Sequence, residues 1–167
     1  MAAASPPGVV YADGDYAGFF RRLLIIGIDL AVLGCAWGLL SVFGMSPSVF
    51  YGGAGLSWAY LTLLEARAGT LGFWLTRTRI ITLEGKRPSV LRMTFRLLLW
   101  IFGPIHAFVD FFWLGGDAYK QTLRDKFAGT LVVRKSATPV GRGDIRLNRY
   151  QFLMFSLVFY EVSKPSA

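Results

Sequence analysis

From Leu23 to Phe43 the chain runs for 21 residues with a single charge, Asp29. About 20 predominantly apolar residues in a helix cross a hydrocarbon core roughly 30 Å thick. No Lys or Arg occurs anywhere between Leu23 and Ala66. A stretch like this belongs in a bilayer or in a very large buried interface. Composition favours the bilayer: only 17% of the 167 residues are charged and 54% are hydrophobic. An ordinary soluble domain carries about 25% charged residues. Mean hydropathy is +0.47. The expected fold class is therefore mainly α, in a membrane.

The net charge of +8 would, on a soluble protein, point to nucleic acid. Its distribution points elsewhere. Seven basic residues fall between Arg67 and Arg96 and eight more between Asp117 and Arg149, on either side of apolar runs. Basic residues concentrated in this way mark cytoplasmic segments. The N-terminus and the basic segments are expected in the cytoplasm, with no nucleic-acid partner. Gly, Ala and Arg usage fits a bacterial inner (plasma) membrane. Arg92, Arg96, Lys120, Arg124 and Lys126 are candidates for anionic lipid headgroups, worth about 1 kcal/mol per basic residue near the surface.

Residues 1–17 contain Pro6, Pro7 and Gly8 and lack a basic signal-peptide start, and read as a disordered tail. Residues 18–135 read as the membrane domain, with spans at about 19–43 and 48–66. Ser46-Pro47 is a cap followed by proline at the first helical position, so the spans form a hairpin with its turn outside. Small residues, Gly34 and Gly38 in one helix and Gly53 and Ser57 (or Gly55 and Ala59) in the other, have the spacing that lets helices meet closely. Cys35, the single cysteine, reads as a small packing residue. Arg79–Leu83 followed by Glu84-Gly85-Lys86-Arg87 reads as a small cytoplasmic β-hairpin; Thr130–Val133 is another strand candidate that could pair with it. Residues 97–114 form a third apolar segment, broken by Gly103-Pro104 and flanked by basic residues. It reads as a re-entrant segment, with a kinked third span as the alternative. Tyr119–Gly129 reads as an amphipathic surface helix. Residues 136–167 form a C-terminal extension, in which 150–160 is too short to cross.

Asp29 and Arg22 stand seven residues apart, two turns, on one helix face. A carboxylate in lipid is expensive unless paired, protonated or hydrated, so Asp29 is either a lock on another segment or part of a pathway. Arg22, with Arg21, also serves as an interface anchor. Asp125, among basic residues, is expected in a cap or salt-bridge network docking its segment under the helices. Glu65 could pair with Arg22 across the hairpin. His106 and Asp110, four apart, could relay protons or be satisfied by backbone or water.

Three stretches in order resemble the RDD family: Tyr16-Ala-Gly-Phe-Phe-Arg-Arg-Leu-Leu-Ile-Ile-Gly-Ile-Asp29; Gly69-Thr-Leu-Gly72 with Arg77-Thr-Arg-Ile-Ile-Thr-Leu-Glu-Gly85 and Leu91-Arg92; and Lys120-Gln-Thr-Leu-Arg-Asp-Lys-Phe-Ala-Gly-Thr130. The resemblance covers about Ala17 to Val133. It places the family's arginine on Arg22 and its aspartates on Asp29 and Asp125. Two positions depart from the pattern: Phe73 stands where the family commonly has Lys, and Lys120 where it often has Arg. The resemblance implies a membrane architecture, and ligand or cation transport has been suggested for the family.

No nucleophile elbow, phosphate loop or supported carboxylate pair is present, and one His and one Cys do not make a four-ligand metal site. The expectation is a non-catalytic protein without cofactor or metal. It would act as an accessory or scaffolding subunit, its partners the bilayer and other membrane subunits. The rival is a homo-oligomeric transporter or ion/proton exchanger with Asp29 and Arg22 on its path; two or three spans without an internal repeat are few for a transporter.

Overall fold

A computed structural model describes the backbone of residues 7–152 and 155–163, and the side chains of these apart from 101–107, 152 and 155. The chain is mainly helical. In order come β1 (Gly8–Val10), α1 (Phe19–Ser41), α2 (Pro47–Ala59), a π-helical turn (Tyr60–Leu64), α3 (Glu65–Arg67), α4 (Leu71–Leu75), β2 (Thr78–Thr82), α5 (Val90–Leu98), a 3-10 turn (Leu99–Phe102), α6 (Gly103–Gly116), α7 (Leu123–Ala128), β3 (Thr130–Arg134), β4 (Gly141–Gly143), β5 (Ile145–Phe152) and β6 (Phe155–Val162).

Among the described residues one helix, α1, is long and apolar enough to cross a membrane. A short turn carries the chain back into α2, where Ser46 is the cap, its Oγ accepting from Val49 N, with Pro47 in the first turn. The backbone stays helical from α2 through the π turn into α3. The seam between α1 and α2 is filled by Trp37, whose Nε1 donates to Ser57 Oγ at 3.1 Å. A Cβ on Gly53 would come within 3.0 Å of Leu40 and 3.1 Å of the Trp37 ring. The Gly53–Ser57 face therefore packs on α1. Gly34 and Gly38 do not take part: a Cβ at either would meet nothing within 4 Å, and the same holds for Gly55. A bulky indole against a small-residue face replaces the expected glycine-to-glycine contact. Cys35 is exposed on α1 rather than packed.

β2 pairs antiparallel with β3, from Thr78 opposite Arg134 to Thr82 opposite Thr130. The expected hairpin through Glu84–Arg87 is not formed. Ser89 caps α5 there, accepting from Arg92 N, so a helix and not a strand follows the turn. The β-branched Thr130–Val133 supplies the partner. Side chains alternate across a strand, and this ribbon buries both faces. Ile80 and Val132 join Ala17, Ile25, Ala66, Phe73 and Met93 beneath the helices. Ile81, Leu83, Leu131 and Val133 join Val9, Val10, Tyr11, Tyr16 and Tyr119 on the other side.

That second core corrects the reading of residues 1–17 as a disordered tail. From Gly8 onward the segment is built in: β1 pairs with β4, and Tyr16 bridges Val133. The apolar run Val9-Val10-Tyr11 covers a ribbon face that would otherwise be open to water. Residues 1–6 lie outside the described residues. At the other end β5 and β6 form an antiparallel hairpin, Ile145 opposite Val162. Its inner face lays Phe159 against Phe127 and Trp113.

Candidate functional site

The buried face of α1 is drawn by Arg22, Ile25 and Asp29. Asp29 Oδ1 accepts from Tyr60 OH at 2.8 Å and from Gly72 N at 2.9 Å. Its Oδ2 accepts from Thr70 Oγ1 at 2.6 Å. All three donors are uncharged. Thr70 and Gly72 sit at the start of α4, which has no side-chain cap of its own. Asp29 supplies one from another helix, and a carboxylate there also meets the positive end of the helix dipole. This approach leaves no room for a side chain at position 72: a Cβ on Gly72 would lie 2.5 Å from Ile25 O. The Thr-Leu-Gly sequence is thus the receptor for Asp29.

One α1 turn pair lower, Arg22 spreads its guanidinium over three partners. Nε donates to Ala17 O at 2.9 Å and Nη2 to Lys120 O at 2.8 Å, while Nη1 meets Asp125 Oδ2 at 2.6 Å. Lys120 adopts a left-handed backbone, φ 48°. Asp125 Oδ1 takes Arg96 Nη2 at 2.9 Å, and Arg96 Nη1 reaches Glu65 Oε1 at 3.1 Å. Arg22, Asp125, Arg96 and Glu65 therefore form a chain through α1, α7, α5 and α3. Asp125 also closes a capping box with Thr122. It is fully buried. Burial pushes its carboxyl up, but the Arg22 and Arg96 guanidinium groups and the Thr122 amide outweigh that and hold it at about 2. Arg96 is pushed down by burial and more than restored by Asp125 and Glu65.

Beside this chain Asp110 on α6 pairs with Arg124 on α7 and accepts from its backbone N at 3.1 Å. The Arg124 guanidinium lies 4.6 Å over the Trp100 ring. Arg96 precedes the third apolar segment and Asp110 lies toward its far end, and both return to adjacent residues of α7. A second polar cluster lies farther out. Lys126 is buried between Asp117 and Glu161, and Glu161 also accepts from Asn148 Nδ2 and Tyr150 OH, each at 2.7 Å. Burial pushes the Lys126 amine down and Asp117 draws it back up.

Between α1, the π turn, α5, α6 and α7 lies a cavity of about 300 Å³. Its lining is mixed: Arg22, Asp29, Glu65, Arg96, Asp110 and Arg124 alternate with Ile26, Leu30, Leu33, Leu61 and Leu97. Phe73 lies in its wall.

The structure brings together Arg22, Asp29, Glu65, Asp110 and Asp125, the candidates from sequence, with two changes of partner. Glu65 pairs with Arg96 and not with Arg22, and Asp29 and Arg22 do not touch. His106 lies outside the described side chains. Three residues read as lipid-facing are not so: Arg96, Arg124 and Lys126 are buried, because each finds a carboxylate from a distant segment. The expected surface helix is correspondingly inverted. It spans only Leu123–Ala128, with its charges inside and Phe127 exposed. Of the five, Arg92 is exposed and Lys120 half-buried. Tyr60, Thr70, Arg96 as a network member, Asp117 and Glu161 were missed; only Thr70 carried a signal, by standing inside a quoted motif.

The RDD family profile matches residues 16–129. No curated protein and no solved structure matches the chain.

Proposed function

The chain belongs to the RDD family, and from that premise we propose that it is a non-catalytic polytopic membrane protein acting as an accessory or scaffolding subunit of a larger membrane assembly. In this reading α1 and the helical run from Pro47 to Arg67 cross as a hairpin. The N-terminus and the basic segments lie in the cytoplasm of the cell, at the inner membrane of a bacterium. Residues 97–114 re-enter from the cytoplasmic side. The return of Arg96 and Asp110 to adjacent residues of α7 supports re-entry over a kinked third span, because a crossing would carry the two ends to opposite surfaces.

One observation carries the scaffolding role. Most of the buried charges of the cluster pair with one another. Arg22, Asp125, Arg96 and Glu65 form a chain, Arg124 holds Asp110, and three uncharged donors hold Asp29. Charges used this way fix a rigid module. What remains for partners is the exposed apolar surface of α1 and α2, with Leu30, Leu39, Tyr51 and Leu56 outside, and the exposed Arg92 for anionic headgroups.

A second reading, an oligomeric ion or proton exchanger with Asp29 and Arg22 on its path, is favoured by the cavity that both residues line. Ion and proton flux into proteoliposomes separates the two. The scaffold produces no flux above protein-free vesicles. A flux removed by Asp29→Asn would overturn it in favour of the exchanger.

A further inference from the structure

The seam between α1 and the helical run Pro47–Arg67 is closed at one end and open along the rest. It is closed where Gly53 meets Leu40 and the Trp37 ring. From there a groove of about 680 Å³ follows the seam to Arg67, within the range of ligand pockets, roughly 300–1,000 Å³. Its lining on the second helix recurs at Gly53, Leu56, Tyr60, Leu63 and Arg67, one face at helical spacing. Fourteen residues separate Gly53 from Arg67, about 21 Å of helix. Half of a hydrocarbon core is about 15 Å. With the hairpin crossing the bilayer, the groove runs from the cytoplasmic surface, at Arg67, past the midplane.

The polar groups on its walls are satisfied, except one. Ser57 accepts from Trp37 Nε1 and donates to Gly53 O. Tyr60 OH donates to Asp29 and accepts from Leu71 N. No Asp or Glu lines the groove. Arg67 is different. It is exposed, and among the described residues no carboxylate pairs with its side chain. Arg96 and Arg124, by contrast, are buried against carboxylates. An unpaired cation thus stands at one end of an otherwise apolar groove.

This arrangement discriminates among occupants. A hairpin from a second copy could cover the groove but has no anion to offer Arg67. Asp29 is the one acidic residue of α1 and is buried under three donors. Glu65 is the one acidic residue of the run Pro47–Arg67 and is paired with Arg96. A phospholipid brings an anion and an apolar chain in the matching order. The ammonium of a zwitterionic headgroup would find no acid in these walls. We propose that the groove holds one net-anionic phospholipid of the cytoplasmic leaflet, its phosphate at Arg67 and one acyl chain along Leu63 and Leu56 toward Trp37. The site rests on α1 and Pro47–Arg67 crossing as a hairpin, and holds for subunit and exchanger alike.

Native mass spectrometry of the full chain, delipidated in detergent and titrated with defined probes, tests this. The probes are dioleoyl phosphatidylglycerol, dioleoyl phosphatidylethanolamine and water-soluble glycerol phosphate. The phosphatidylglycerol is expected to form a one-to-one adduct and to bind more tightly than the phosphatidylethanolamine. The soluble headgroup, lacking the chain, is expected to leave the protein free. Arg67→Gln is expected to abolish the preference and to weaken phosphatidylglycerol by about fivefold, the contribution of one basic residue near a membrane surface. Ala36→Trp, which fills the groove from α1, is expected to weaken both lipids by about tenfold. Equal binding of the two lipids, equal binding of the soluble headgroup, an unchanged preference in Arg67→Gln or full lipid binding by Ala36→Trp would overturn the site. So would a delipidated dimer that takes up no lipid, which would give the groove to a second copy. The wild-type arms decide even if a variant does not fold. Protection of Cys35 from aqueous thiol reagents checks the crossing of α1 separately, so a failed lipid arm with Cys35 protected condemns the site alone.

Discussion

Asp125, fully buried, holds two guanidinium groups, and its neutral replacement would leave both buried and under-compensated. Removing one partner of a buried ion pair typically costs about 3–5 kcal/mol. Asp125→Asn is therefore expected to lower thermal stability in detergent sharply, by about that amount, whereas Lys86→Ala, in an exposed pair with Glu84, should change it by less than about 1 kcal/mol. The same carboxyl makes stability pH-dependent. Its folded value of about 2 lies below the usual range, so its contribution is fully present above about pH 4 and is lost as pH falls toward 2. About 2 kcal/mol is at stake, readable as a falling melting temperature across that window that Asp125→Asn abolishes. At Gly72 the prediction is steric. Ala at 72 drives a methyl to 2.5 Å from Ile25 O, and such overpacking costs about 1–3 kcal/mol. A variant as stable as the wild type would show that α4 stands farther from α1 than described.

At the scale of elements, the apolar runs and their caps were legible because they depend on local sequence alone. The length of Leu23–Phe43 requires a long helix, and Ser46-Pro47 starts the next. The break at Gly103-Pro104 appears as a 3-10 turn directly before it. What was illegible depended on partners brought from far along the chain. Arg124 and Lys126 alternate with Leu123 and Phe127 like the face of a surface helix, yet they are buried, because Asp110, Asp117 and Glu161 come to meet them. Val9-Val10-Tyr11 is too short to announce a strand, and only the open face of the β2–β3 ribbon gives it a place. The π turn is similar. Tyr60 at its start reaches Asp29 and Glu65 just beyond its end reaches Arg96, and nothing in Tyr60–Leu64 marks it beforehand. α1 itself supplies a test through its exposed Cys35. In intact membranes a water-soluble maleimide should leave Cys35 unlabelled and label it after denaturation. Rapid labelling in the native membrane would mean that α1 does not sit in lipid.

At the scale of the whole molecule, the N-terminal strand, the C-terminal hairpin and the helices are tied by polar contacts that cross the chain. Glu161 is one tie for the hairpin, through Lys126, beside the Tyr119 hydroxyl on Val162 O. Glu161→Gln should loosen residues 145–162, seen as faster amide exchange there, while β2 and β3 keep their protection. Uniform loss of protection would show instead that the hairpin and the core unfold as one. A rigid module with its charges turned inward and its apolar helix faces outward is suited to being held by neighbours. The direct measurement is extraction from the native membrane at native expression, into mild detergent or nanodiscs, followed by mass analysis of what travels with the chain. A stoichiometric complex with other membrane proteins is the predicted result. A pure homo-oligomer, with no other subunit retained, would contradict the accessory role and return the account to the exchanger.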